Sequence, residues 1–196
     1  MSERPLARTR QHGLTLVELM VVIAIVGILV VAAVAFMKKE VLPRDAAQQV
    51  SRLISETARK AVAGGVVRDD VIANLGDQPR TRARIFFDAT QGTQAVVLER
   101  LEEHPLPDNG ADWVELERIF VDRTIAIAGY TALTQLAPGT TPDNTLSVAD
   151  EVSVDCEADG RCTGITLYFQ GTKMSARRAR LAVMPLAGIP LTFDEW

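Results

Sequence analysis

The chain is poor in the side chains that do most protein chemistry. It has two histidines, His12 and His104, and two cysteines, Cys156 and Cys162, among 196 residues. A zinc site of the usual kind draws on three or four nitrogen and sulfur ligands, and this set does not supply them at ligating spacing. Neither G-x-S-x-G nor H-E-x-x-H occurs, and the scattered Asp and Glu form no recognisable catalytic pair. No enzyme and no cofactor is therefore expected. Aromatic residues are scarce at 5%, and the net charge is -4, which does not suit a general nucleic-acid binder. There is no internal repeat and no low-complexity segment.

Apolar residues are plentiful, at 47%, and concentrated. From Leu19 to Met37, 19 consecutive residues carry no charged or strongly polar side chain, close to the ~20 that a spanning helix needs. The stretch "RQHGLTLVELMVVIAIVGILVVAAVAFMKK", residues 10–39, contains one carboxylate, Glu18, near its front. An unpaired charge in hydrocarbon costs several kcal/mol, so Glu18 needs a reason.

Three readings of this segment compete. A cleaved secretory signal would use Arg4, Arg8 and Arg10 as its basic region and Ala33-Val34-Ala35 as its cut site. The apolar run is too long for it, and Glu18 interrupts it. A plain single-pass anchor fits the length. Its orientation is nearly unmarked, since Arg4, Arg8 and Arg10 before the span balance Lys38, Lys39 and Arg44 after it. It too leaves Glu18 unexplained, although a carboxylate near a helix start can reach the headgroups. The third reading rests on Gly13-Leu14-Thr15-Leu16-Val17-Glu18-Leu19, placed between a short basic leader and the apolar run.

That pattern closely resembles the class III signal of type IV pilins and pseudopilins. The resemblance implies that a prepilin peptidase cuts between Gly13 and Leu14 and methylates the new amino terminus at Leu14. The family often has Phe at that first mature position. It further implies that Glu18, the fifth mature residue, pairs with the amino terminus of a neighbouring subunit. The carboxylate would then penalise a lone subunit and favour a docked one. Implied partners are other pilin or pseudopilin subunits, the prepilin peptidase, an assembly ATPase, a platform membrane protein and inner-membrane lipid.

The expected fold is α+β: a long N-terminal helix whose first half spans the membrane and whose second half packs on an antiparallel sheet. Residues 1–13 read as a cleaved leader, 14–37 as the membrane and assembly half of the helix, 38–63 as its amphipathic half, and 64–196 as a β-rich periplasmic domain. One helix from Leu14 to about Ala63 would be roughly 75 Å long, kinked at Pro43. Ala46, Val50, Leu53, Ile54, Ala58, Ala61 and Val62 form its apolar stripe, and Gly64-Gly65 ends it. Residues 66–80 read as loop, with a possible helical turn at Asp69–Leu75. Ala83–Asp88 and Gln94–Glu99 read as a hairpin, Trp113–Val121 as a strand, and 124–128 as a short strand. Residues 104–112 and 136–145 read as surface loops. Further strands at 146–154 and 164–170 bracket the cysteines, and Arg178–Phe193 reads as a last hairpin turning at "PLAG".

Cys156 and Cys162 flank an Asp159-Gly160 turn, so they can face each other on adjacent strands as a disulfide. So short a loop would contribute only ~2–3 kcal/mol. A disulfide needs an oxidising compartment, in keeping with a periplasmic domain. Two free thiols are the alternative.

Two features lie near the C-terminus. Arg180-Leu-Ala-Val-Met-Pro-Leu-Ala-Gly188 resembles the end of minor pseudopilins of the general secretion pathway H type and of minor pilins of the T and U type. This points to a subunit that primes or caps a pilus or a type II secretion pseudopilus. Lys173, Arg177, Arg178 and Arg180 form a basic cluster. Some minor pilins of natural transformation bind DNA through such clusters, so a membrane-anchored DNA receptor or adhesin is the alternative function. Nucleic acid is the less favoured partner: no aromatic residues interleave the cluster, and loss of three arginines and one glutamate with the leader takes the charge from -4 to -6. A solvated face or an intersubunit patch is the plainer reading.

Overall fold

The computed structural model describes residues 15–36, 41–63, 79–103 and 111–196. The leader, the Gly13–Leu14 junction, the Gly64-Gly65 stop with the segment after it, and the loop at 104–110 lie outside the described residues. The chain divides into two compact units, residues 1–40 and 41–196.

The first unit contains helix α1, Leu16–Phe36. Leu16–Ala33 is long and apolar enough to cross a membrane, and none of it is buried. Among the described residues the side chains of Leu16–Val31 are all exposed, which suits a segment whose solvent is lipid or other helices.

The second unit begins with helix α2, Pro43–Ala63. The expected unbroken helix is not what forms, because Val41 and Leu42 are not helical. Pro43 is the cause. Its ring disfavours helical geometry in the residue before it. It also suits a first helical position, where its missing N–H is not needed. The Leu42 carbonyl accepts from the amides of Asp45 (2.9 Å) and Ala46 (3.2 Å), and the Asp45 carboxylate accepts from the Leu42 amide at 3.3 Å. Pro43 therefore starts a new helix instead of kinking an old one.

The buried face of α2 comprises Ala46, Ala47, Val50, Leu53, Ile54, Thr57, Ala58 and Ala61. Val62, read as part of the stripe, is 63% exposed. Thr57 is polar yet fully buried. Its hydroxyl donates to the Leu53 carbonyl at 2.8 Å, and its own carbonyl accepts from the Thr81 hydroxyl at 2.9 Å, tying helix to sheet.

Among the described residues nine strands follow: β1 Thr81–Asp88, β2 Thr93–Glu103, β3 Ala111–Phe120, β4 Ile125–Thr131, β5 Asn144–Thr145, β6 Glu151–Cys156, β7 Ile165–Gly171, β8 Arg178–Met184 and β9 Ile189–Phe193. They form two antiparallel sheets, ordered β3-β2-β1-β6 and β5-β4-β7-β8-β9. The hairpins expected at 83–99 and 178–193 are present, as are the strands near 113 and 124. The second loop contains the two-residue strand β5. Ala83, Ile85, Val96, Leu98 and Val154 of the first sheet join Ile127, Leu167, Phe169, Leu181 and Val183 of the second in one core with α2.

On the outer face of the first sheet, Glu99 is buried between Arg82 and Arg84, with the Arg84 contact at 2.9 Å; Arg84 reaches Glu151 at 3.1 Å. Arg82 stacks over Trp113, 4.1 Å from the ring centre. This charged cover explains why Ala95 to Leu98 are all buried, although only alternate residues of a strand can face one core. The edge strand β3 is mostly exposed and carries Asp112, Glu115, Glu117 and Arg118.

Cys156 and Cys162 are bonded. They are not on adjacent strands of one hairpin, because β6 belongs to the first sheet and β7 to the second. They meet in a single isolated bridge where the chain passes between sheets. Gly160 makes the turn at φ +86°, and the Asp159 carboxylate accepts from the Arg161 amide at 2.9 Å.

The β8–β9 turn lies against this staple. The Cys162 amide donates to the Pro185 carbonyl at 2.9 Å. Gly188 has φ +56°, and a Cβ there would stand 2.5 Å from the Ala58 Cβ and 2.6 Å from the Cys162 Sγ. Gly188→Ala should cost about 3 kcal/mol or more, from left-handed strain plus overpacking. Gly139→Ala shares the positive φ, at +76°, but has open space around the added methyl, so it should cost only about 1–2 kcal/mol. Urea unfolding of both variants followed by circular dichroism checks the difference.

Candidate functional site

The N-terminal site is built by the start of α1. Thr15 precedes the first helical residue, and Glu18 occupies the third helical position. One carboxylate oxygen of Glu18, Oε2, accepts from the Thr15 amide and from the Thr15 hydroxyl, each at 2.8 Å. The Glu18 amide donates back to the Thr15 hydroxyl oxygen at 3.2 Å. This reciprocal pair is a capping box, and its signature, Thr-x-x-Glu before an apolar run, was legible in the sequence though not drawn from it. The positive end of the helix favours a carboxylate at the same place.

The capping box changes the reading of Glu18. Within a single chain the carboxylate is not bare: two donors of Thr15 meet it. Any penalty for a lone subunit is correspondingly smaller than that of an uncompensated charge. Thr15 is the site residue that the sequence reading missed.

The basic cluster near the C-terminus does not hold together. Lys173, Arg177 and Arg178 lie on the exposed stretch 172–178, which links β7 to β8 and includes the first residue of β8. Arg180 is 2% exposed and is one of the largest fully buried side chains. Its guanidinium donates to the carbonyls of Gln135 (3.2 Å), Leu136 (2.9 Å) and Ala137 and to the Thr140 hydroxyl (2.8 Å). It also stacks on Phe193, 4.3 Å from the ring centre. Assignment of Arg180 to nucleic-acid contact is therefore corrected: it fastens the 135–140 loop to the second sheet. The reason is register. On β8, Arg180 points to the face opposite the core-facing Ala179, Leu181 and Val183, and the loop has folded over that face.

Arg178 stacks over Trp196 at 4.4 Å, and the Trp196 indole N–H donates to the Phe169 carbonyl at 3.1 Å. In the neighbouring loop, hydrogen bonds from the Thr124 hydroxyl and amide hold the Asp122 carboxyl below the usual carboxylate range. Among the described residues no group of three or more His, Cys, Asp or Glu is placed to hold a metal ion.

The start of α1 is thus a capped, carboxylate-bearing helix N-terminus that leads directly into an apolar span. In keeping with that geometry, residues 8–34 match the family described as the prokaryotic N-terminal methylation motif. Comparison with curated proteins gives no match. Among solved structures the chain is similar to the minor pseudopilin EpsH from the type 2 secretion system of Vibrio cholerae. The two are 11% identical, the match covers 76% of this chain and 93% of that one, and the TM-score is 0.42.

Arg180→Met should remove the donors that satisfy three loop carbonyls and cost about 2–4 kcal/mol, with new proteolytic cleavage within 135–140. Lys173→Met should change stability by less than about 0.5 kcal/mol. Limited proteolysis and chemical unfolding read both effects.

Proposed function

We propose that this chain is a minor pilin or pseudopilin, a structural subunit that primes or caps a type IV pilus or a type II secretion pseudopilus. The observation that carries this reading is the junction at 13–18: a glycine-ended basic leader, a capped glutamate and an apolar helix, within the segment that matches the methylation motif. The resemblance of Arg180–Gly188 to minor subunits adds support. The buried Arg180 and the crowded Gly188 give that motif a structural reason to keep its residue types.

The mechanism follows from the chemistry of the residues. A prepilin peptidase cuts after Gly13 and methylates Leu14. The subunit waits in the inner membrane with residues 41–196 in the periplasm. The new ammonium lies one residue before Thr15, so the Glu18 carboxylate has two classes of partner: the Thr15 donors of its own helix and an ammonium brought by a neighbour. A charge-assisted bond is stronger than a neutral one, so docking beside an ammonium improves on the capping box. The apolar side chains of α1 gain packed helices in place of lipid. A platform protein and an assembly ATPase then move the stack outward. The loss of Arg180 from the exposed cluster leaves the DNA-receptor alternative with fewer basic groups.

Two experiments test the proposal. Intact mass and N-terminal peptide analysis of protein recovered from membranes should show a chain starting at N-methylated Leu14 when a prepilin peptidase is active, and an uncut chain when it is not. A chain starting at Phe36 would instead indicate an ordinary secreted protein. Glu18→Ala should leave cleavage and membrane insertion intact and reduce incorporation into fibres by about tenfold or more, as expected for loss of a charge-assisted contact. Quantitative blotting of sheared fibres against membranes measures the ratio.

A further inference from the structure

The exposed stretch 172–178 sits at one identifiable end of the second unit. Arg44, in the first turn of α2, pairs with Asp194 at 2.8 Å, just after β9. Phe193 at the end of β9 is opposite Arg180 near the start of β8, and β8 leads directly back into 172–177. The Thr172 amide donates to the Thr124 carbonyl at 2.8 Å, which brings in the 122–124 loop with Arg123. The entry of α2, the C-terminal residues and the β7–β8 turn thus share one end. It carries Arg44, Arg123, Lys173, Arg177 and Arg178, and Met174 is 49% exposed there. Its carboxylates are Asp45, bonded to the Leu42 amide, Asp122, bonded to Thr124, Asp194, which also occupies Arg44, and Glu195, which lines one hollow with Arg178 and Trp196.

It is also the end at which the chain arrives from α1. Six residues separate Phe36 from Pro43, two of them Lys38 and Lys39, and fully extended they reach at most about 25 Å. If α1 lies in a bilayer, as the function proposed above requires, the entry of α2 is held within that distance of the headgroups. A tether so short gives a high effective concentration, so a few Lys and Arg suffice where a free protein would need many.

We propose that the 172–178 turn, with Lys173, Arg177, Arg178 and Met174, is a membrane-surface contact that docks residues 41–196 on anionic phospholipid headgroups before assembly. The turn offers cationic groups and an exposed thioether side by side, which suits phosphate headgroups over an apolar layer. Duplex nucleic acid is less well matched: no tether holds it beside the turn, and the exposed Met174 has no counterpart in a phosphate backbone.

The test uses the full chain in phosphatidylcholine vesicles, with and without phosphatidylglycerol. A fluorophore is placed at Ser175→Cys or, as a control, at Leu186→Cys on the β8–β9 turn at the other end of β8. Quenching by a headgroup-labelled lipid is then compared. In phosphatidylglycerol vesicles Ser175 should be quenched about threefold more than Leu186. The contrast should fall by half or more with Lys173→Glu plus Met174→Ser, and fall at high salt. Equal quenching at the two positions, in protein that resists alkaline extraction, would overturn the membrane contact alone. Release by alkaline extraction would overturn the anchor and this inference together. If instead a short DNA duplex is retarded by the intact chain but not by Lys173→Glu, and no quenching contrast is seen, the turn is a nucleic-acid site and the proposal fails.

Discussion

Everything in the second unit depends on helix α2 lying close against both sheets. A helix covers two surfaces at once only if its buried stripe is wide and its side chains are small enough for the strands to approach. Ala46, Ala47, Ala58 and Ala61 supply the small positions, and Val50, Leu53 and Ile54 supply the bulk. That closeness is why Gly188 has no room for a methyl group and why the Cys156–Cys162 bond is buried beneath the β8–β9 turn. It also makes Thr57 acceptable at the centre, since its hydroxyl and carbonyl are both bonded.

Much of this was legible in the sequence, for reasons that can be named. The amphipathic period of α2, the alternation in β1 and the turn residues at Asp159-Gly160 and 185–188 are local signals, and they placed elements correctly. Three features were not legible. The break at Pro43 depends on whether a proline falls inside a helix or begins one, and the composition of the flanking residues does not decide that. The assignment of β6 and β7 to different sheets is a matter of pairing with β1 and β4, which are distant in sequence. Arg180 looked like its basic neighbours because burial of a guanidinium depends on a loop some 40 residues away, folded so that its carbonyls converge.

Charge is handled the same way at both ends of the chain. Glu18, Glu99 and Arg180 each occupy places that would be costly for a bare ion, and each is met by several directed partners. For Glu99 and Arg180 the partners lie within the folded unit, so these are fixed structural bonds. For Glu18 the partner among the described residues is Thr15 on its own helix, which leaves the carboxylate open to exchange. The difference between a permanent and an exchangeable contact lies in burial: Glu99 and Arg180 are buried, whereas Glu18 is exposed.

The edges of the two sheets carry one more consequence. Strand β3 presents its open side with Asp112, Glu115, Glu117 and Arg118, β5 is two residues long, and β9 contains Pro190. Each device discourages a foreign strand from joining the ladder. If the chain joins a fibre as proposed above, its sheets must not also recruit strands sideways, because growth in two directions yields a mat and not a thread. These three edges would help to keep such growth one-dimensional.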